Sequence, residues 1–392
     1  MNESTSVSLF TSLEEVVRSH VRDFIEQIVE DELTVQLERA RYERGGIGYR
    51  NGHRERTLVT TFGKIELDVP RGRVQRDGAV TEFRSSILPK GKKLTKNVEA
   101  LVVATYLCGV STRRCKVALT QALGPNVSRS AVSRCLATLK PQWDAWQARD
   151  LSQDGIVRLM LDGFVVKARL GKQTFRISVL CAMGVTRDGQ KIVLSLKGMG
   201  GESKEAWREV LDDLAARGVK QPQVCIIDGS KGLRAAVAEL WPETLVQRCT
   251  VHKERNLLAA APEPLHEEIK ADYRELMYAP SVEEALNLRS QFVDKWKARC
   301  PQVAKSFEEA GDELFTFLRF PPTQWKSLRT TNAIERLNEE FRRRVKVQGV
   351  QPSSESVCML FWALVASGAT ILRRVTGWDT LSEKPKELPL AA

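Results

Sequence analysis

Histidine is scarce in this 392-residue chain, four in all, and none of its eight cysteines (108, 115, 135, 181, 225, 249, 300 and 358) has the Cys-x-x-Cys spacing of a zinc or redox site. Thiols scattered in this way suggest a reduced, intracellular setting rather than a disulfide framework. Long apolar runs are missing too. The most apolar stretch, Val357 to Leu372, is short for a bilayer span and carries Ser367, Gly368 and Thr370, while the acidic N-terminus has no signal-peptide core. The expectation is a soluble, cytoplasmic protein with no membrane partner. No internal repeat or low-complexity tract occurs, and 42% hydrophobic with 28% charged residues argues against disordered, collagen-like and coiled-coil classes. The length is enough for two or three domains and a sizeable core.

What the chain does have is positive charge, a net +11, unevenly spread. Residues 50–140 carry 18 basic and 6 acidic groups, whereas residues 1–49 carry 5 and 10 and residues 141–392 carry 37 and 33. One stretch holds the excess, and a polyanion is its natural partner.

Ahead of that stretch, Val16, Val21, Phe24, Ile25, Ile28 and Val29 recur at helical spacing, so residues 11–40 read as an amphipathic helix pair for packing or dimerisation. Two alternating runs follow, Thr57 to Phe62 and Ile65 to Pro70. A type II′ turn at Gly63-Lys64 would set Phe62 opposite Ile65 and Leu58 opposite Val69. Arg50, Arg54, Arg56, Arg71 and Arg73 flank this hairpin and are candidate DNA contacts. From Leu94 to Leu139 the pattern is helical. Ser111 precedes a helix over 112–123 that Gly124-Pro125 stops, and Ser128 precedes one over 129–139. Two short helices bearing Arg113, Arg114, Arg129 and Arg134 read either as a basic surface pair or as a helix-turn-helix. In the second case Arg129, Ser130, Ser133 and Arg134 face the DNA groove.

After Pro141 strands dominate: Ile156–Asp162, Phe164–Arg169, Thr174–Met183 and Lys191–Leu196, suited to an antiparallel meander. Strand-helix-strand crossovers then run to Cys249, which predicts a mixed α/β sheet covered by helices. No strand pattern survives from Val251 to about Phe320. Leu288, Phe292 and Trp296 mark a helical stripe there, and Ser281 with Glu284 has capping-box spacing.

Asp162 and Asp228 each end an apolar strand and precede a glycine. A single Asp-Gly is usually a turn, but two acids at strand ends of one sheet need a cation or several hydrogen bonds to offset their desolvation. Asn332 can cap a final helix with Glu335 three residues on, so Glu335 is either a capping partner or a third acid facing the strand ends. Three converged carboxylates would repel one another unless two Mg²⁺ or Mn²⁺ ions bound them, an arrangement suited to phosphodiester chemistry. Seven cations to three acids across residues 326–346, including Arg329, Arg336, Arg342, Arg343 and Arg344, would then hold a phosphate backbone, together with Asn332.

These residues resemble the DDE transposases of bacterial insertion sequences of the Mutator-like superfamily. The resemblance spans nearly the whole chain. It rests on Tyr49-Arg50-Asn51-Gly52, Val69-Pro70-Arg71, Gly109-Val110-Ser111-Thr112-Arg113, Asp162-Gly163, Asp228-Gly229, Cys249-x-x-His252 and Thr331-Asn332-x-Ile334-Glu335. It implies a ribonuclease-H-like catalytic domain interrupted by a helical insertion, with Asp162, Asp228 and Glu335 as catalytic and metal-binding residues for two Mg²⁺ (or Mn²⁺) ions. It also implies binding to double-stranded DNA, both terminal inverted repeats and target, cleavage that exposes a 3′-OH, strand transfer by that 3′-OH, a circular intermediate and a homodimer. Cys249 and His252 would be structural residues near the site, and Trp296 matches a tryptophan of the insertion. The family's phenylalanine-proline-asparagine step is replaced here by Val347-Gln348-Gly349-Val350-Gln351-Pro352.

The expected layout is a helical packing region at 1–45, a basic hairpin region at 46–90, a helix-turn-helix domain at 91–145, a catalytic domain at 150–250 and 325–375, and the insertion at 251–324. The protein would be bacterial and nucleoid-associated when on DNA. Two other readings remain open: a catalytically inactive DNA-binding regulator derived from a transposase, and a ribonuclease-H-like nuclease without strand transfer.

Overall fold

A computed structural model describes residues 3–76, 78–123, 127–170, 173–348, 353–368 and 370–387, in two compact units, 1–138 and 139–392. The helix stop expected at Gly124-Pro125 and the segment 349–352 lie outside the described residues.

The first unit contains α1 (Glu3–Leu37), β1 (Gly48–Thr60), β2 (Gly63–Arg76), β3 (Ala79–Glu82), α2 (Lys96–Leu107), α3 (Thr112–Leu123) and α4 (Arg129–Ala137). Where a helix pair was expected, α1 is one continuous helix, because residues 11–37 hold no glycine or proline to break it. Val21, Ile25, Val29, Leu33 and Leu37, four apart, pack on Leu67, Val69 and Val74 of β2. The hairpin register also differs from expectation. Thr60 pairs with Gly63 and Leu58 with Ile65, so the turn is Thr61-Phe62 and Phe62 is 51% exposed. The Thr60 hydroxyl fixes this turn by donating to the Gly63 carbonyl (3.0 Å) and accepting from the Phe62 amide (3.1 Å). Helices α2 to α4 enclose a second small core around Val98, Val102, Cys115, Leu119 and Val132, with Ser128 capping α4 as anticipated.

The second unit begins with α5 (Lys140–Gln147) and continues through β4 (Ile156–Leu170), β5 (Gln173–Thr186), β6 (Lys191–Met199), α6 (Lys204–Ala216), β7 (Val224–Ile227), α7 (Lys231–Leu240) and β8 (Leu245–Arg248). Helices α8 (Thr250–Ala259), α9 (His266–Met277), α10 (Val282–Arg299), α11 (Pro301–Glu309), α12 (Pro322–Leu328), α13 (Asn332–Gln348) and α14 (Ser354–Ala366) complete it. The five strands run in the order β6-β5-β4-β7-β8, antiparallel on the meander side and parallel across β4-β7-β8. This is the mixed α/β sheet that the strand pattern predicted.

Alternation along β4 sends Leu159 and Leu161 into a core shared with Trp207, Leu211, Leu233 and Val237 of α6 and α7. Phe164 lies on the other face, in an aromatic cluster with Phe341 of α13 and Phe361 of α14. The last two stack at 4.1 Å between ring centroids. Between β8 and α12 only helical elements occur among the described residues. Trp296 is fully buried there and its indole donates to Asp272 at 3.0 Å, so it is a core residue of α10.

Candidate active site

Asp162 does not end a strand. It lies in the middle of β4, paired with Cys181 of β5, and β4 continues eight residues past it. What ends at this point is the parallel partner. Leu161 is in register with Ile227, the last residue of β7, so Asp162 and Asp228 are adjacent where the β4-β7 pairing stops. Because Asp162 alternates with Leu161, it faces the side covered by α13.

The two glycines have different jobs. Gly229 adopts φ +97° and turns the chain out of β7, as the sequence suggested. Gly163 stays in the strand, and a Cβ there would fall 2.4 Å from the carboxyl carbon of Glu202. The missing side chain admits a fourth acid to the cluster, one that the sequence reading overlooked. Its only signal is position, between Gly200-Gly201 and the Ser203 cap of α6.

Helix α13 delivers Glu335 to the same place. Ile334 and Leu337 are buried on either side of it, and Phe341 two turns on locks the helix to β4. Asn332 is not the cap. The carbonyl of Thr331 accepts from the Glu335 amide (3.1 Å), which is the N-cap role, and Asn332 is exposed. Buried Thr331 meanwhile donates its amide and hydroxyl to the Cys249 sulfur, both at 3.5 Å. Glu335 is therefore no capping partner. Its Oε1 accepts from Arg255 Nη1 at 2.8 Å and lies 3.3 Å from His252 Nε2.

Electrostatics confirm the crowding. Burial pushes Asp162 up to about 7, opposed by His252 and reinforced by the charges of Asp228, Glu335 and Glu202. Glu202 is raised as well, by desolvation and then by Asp228. Asp228 Oδ1 accepts from the Ser230 amide at 2.8 Å. His252 is raised to about 9, chiefly by the Cys249 sulfur and further by Asp162 and Glu335. Cys249 is lowered despite its burial by His252 and Thr331. Cys249 and His252 thus form a hydrogen-bonded pair whose His252 end acts on Asp162 and Glu335. Among the described residues, no three His, Cys, Asp or Glu side chains are drawn closely enough together to hold a metal ion. The acids share one field without forming a ligand set, and Glu335 is occupied by its two cations.

The basic residues divide into two groups. Arg54, Arg71, Arg113, Arg114, Arg129, Arg134, Arg336 and Arg342 are exposed, as are Ser130 and Ser133. Others have partners within the protein. Arg50 is bound to Glu30 and Thr34 of α1, and Arg56 donates to the carbonyls of Leu88, Pro89 and Lys92. Arg329 donates to the carbonyls of Met277 and Trp325 and lies over the Tyr278 and Phe317 rings. Exposed Arg73 reaches the Tyr49 hydroxyl (3.3 Å), and Arg343 and Arg344 pair with Glu340 on their own helix.

No helix among the described residues is long and apolar enough to cross a membrane. Comparison with known proteins agrees with the sequence resemblance. The transposase for insertion sequence element ISRM5 of Rhizobium meliloti is 33% identical over 350 residues, 89% of this chain and 86% of that protein. The transposase for insertion sequence element IS256 in transposon Tn4001 of Staphylococcus aureus is 29% identical over 371 residues, 93% and 92% of the two chains. A structure of the Drosophila P element transposase strand transfer complex aligns over 74% of this chain and 85% of that one, at 10% identity and a TM-score of 0.32. Residues 1–370 match the family described as Transposase, Mutator family, and the chain belongs to that family.

Proposed function

We propose that this protein is the transposase of an insertion sequence, which binds the element's terminal inverted repeats and cuts and joins DNA at the Asp162, Asp228 and Glu335 cluster. The observation that carries this reading is the strand register that sets Asp162 beside Asp228, with the field of Glu335 acting on Asp162. On this reading the second unit's sheet, with its α8 to α11 interruption, is a ribonuclease-H-like catalytic domain.

The donor chemistry fits a divalent cation. Oxygen ligands from carboxylates suit Mg²⁺ or Mn²⁺, and an acid held near 7 by burial and like charge is what a cation would relieve. Asp162, Asp228 and Glu335 would hold two such ions, which supply activation of the attacking oxygen and stabilisation of the leaving one. The chain's own residues do the rest. The Ser230 amide orients Asp228, Phe341 and Phe164 seat the helix that presents Glu335, and Arg255 and His252 offset the charge of Glu335. Exposed Arg336 and Arg342 on α13 would hold the backbone of the strand being cut. End recognition falls to the first unit, whose exposed Arg113, Arg114, Arg129 and Arg134 sit on α3 and α4, used as a helix-turn-helix. A homodimer on paired ends would use the exposed Val16 and Phe24 of α1.

The test is a cleavage and strand-transfer assay on duplexes carrying the repeats that flank the gene. Asp162→Asn, Asp228→Asn and Glu335→Gln are each expected to abolish Mg²⁺-dependent cleavage while repeat binding persists. Full activity in any of them removes that residue from the site. Repeat binding without cleavage by the wild type would favour the inactive regulator, and cleavage without joining the simple nuclease.

A further inference from the structure

Beyond Asp228 lies a groove of about 800 Å³, bounded by the start of α7, the edge strand β8 and the segment from Glu309 to Arg319. It begins at Gly229, the residue after Asp228. Its wall contains Arg248, whose side chain is only 7% exposed and whose guanidinium lies across Gly229, with Nη2 2.3 Å from where a Cβ would be. Arg248 Nη1 binds Glu309 Oε2 at 2.9 Å, and Nε is shut off from solvent with no hydrogen-bond partner. Lys253 is 2% exposed, and its Nζ turns to the same Glu309 oxygen at 3.0 Å.

Two buried cations thus share one oxygen of one half-exposed carboxylate, which leaves a positive charge uncompensated where that is costly. The other acids of the groove cannot supply the balance. Glu313 is paired with Arg234 and Asp312 with Arg289. At the mouth, exposed Lys231 has no ion pair among the described residues, and α7 begins there with the positive end of its dipole.

We propose that this groove binds a phosphodiester of a single DNA strand that runs past Asp228, with Arg248 and Lys231 as its ligands. The inference rests on the transposase reading for the identity of the strand, and the groove's size suits about one or two nucleotides rather than a duplex.

The experiment uses the full-length protein with a (dT)6 oligonucleotide and, separately, inorganic phosphate as probes. Lys231→Ala, at an exposed position, should weaken (dT)6 binding about tenfold and lower the log-log salt slope by about 0.7, and Arg248→Lys, which keeps the charge but loses the planar fork, should weaken binding with little change in slope, both leaving terminal-repeat binding unchanged. Glu309→Gln should act in the opposite direction, melting at a lower temperature yet binding (dT)6 more tightly and gaining more in melting temperature from it than the wild type does. Bromodeoxyuridine in the oligonucleotide should crosslink to peptides from 229–234 or 309–319. Unchanged affinity and slope in Lys231→Ala, or weaker binding in Glu309→Gln, would overturn the proposal. Equal protection by inorganic phosphate alone would also overturn it, by assigning the groove to a free anion. If these variants behave as expected while the wild type cuts no repeat DNA, the groove stands and the transposase reading falls. If cleavage is normal but the groove variants bind (dT)6 as the wild type does, the reverse holds.

Discussion

A single absent Cβ at Gly163 lets Glu202 join the acids, so a methyl group there tests the cluster by displacing the Glu202 carboxylate while leaving Asp162, Asp228 and Glu335 in place. The atoms nearest the new Cβ of Gly163→Ala are those of the Glu202 carboxylate, the far end of a flexible side chain that can shift. The expected outcome is a protein that folds and binds repeats normally but cuts more slowly, and an unchanged cleavage rate would show that Glu202's position is immaterial. Glu202→Gln should lower cleavage by about 10- to 100-fold, the usual cost of disturbing a group next to a metal site, with no loss of melting temperature. A drop in stability alone would make Glu202 merely structural. Of the four acids, three could be read from sequence because they sit in recognisable contexts. Glu202 could not, since only the folding of the turn between β6 and α6 against Gly163 gives it a place.

The seating of α13 governs the geometry at the scale of an element. Phe341 is fully buried between Phe164 and Phe361. Phe341→Ala removes a ring whose loss costs about 3–5 kcal/mol, and it should reduce cleavage beyond what the melting curve explains, because Glu335 rides on the same helix. Cleavage in strict proportion to the folded fraction would refute that link. Trp296→Ala should cost a similar ~3–5 kcal/mol, with the lost Asp272 hydrogen bond adding to it, and is read by denaturant midpoint. Element types were largely legible, since the meander, the crossovers, the Ser128 cap and the strand-free stretch after Val251 follow from periodicity and capping chemistry. Boundaries were less so. Asp162-Gly163 has the signature of a strand end, yet β5 hydrogen bonds carry β4 through it, and a side-chain bond from Thr60 moved the hairpin turn.

For the molecule as a whole, the excess charge of residues 50–140 predicts that repeat binding is salt-dependent and belongs to the first unit. Arg129→Ala with Arg134→Ala in the full chain should weaken repeat binding and lower the log-log salt slope by about two, while Glu335→Gln leaves both unchanged. Equal slopes for the double variant and the wild type would move the DNA contact elsewhere. Removing divalent cations with a chelator should stop cleavage and spare binding. Arg50, Arg56 and Arg329 each donate to partners inside the protein.

Composition, charge and periodicity by themselves determined the basic stretch of the first unit, the mixed sheet and the helical stretch that follows it, and Asp162, Asp228 and Glu335 as the residues to watch, because each depends on residue type and spacing along the chain. Tertiary structure alone decided that the aspartates are neighbours at the end of β7, that Glu202 stands with them, that Glu335 rests on Arg255 and His252, and which arginines remain free. Those facts depend on strand register and side-chain packing between residues far apart in sequence, and no local pattern encodes them.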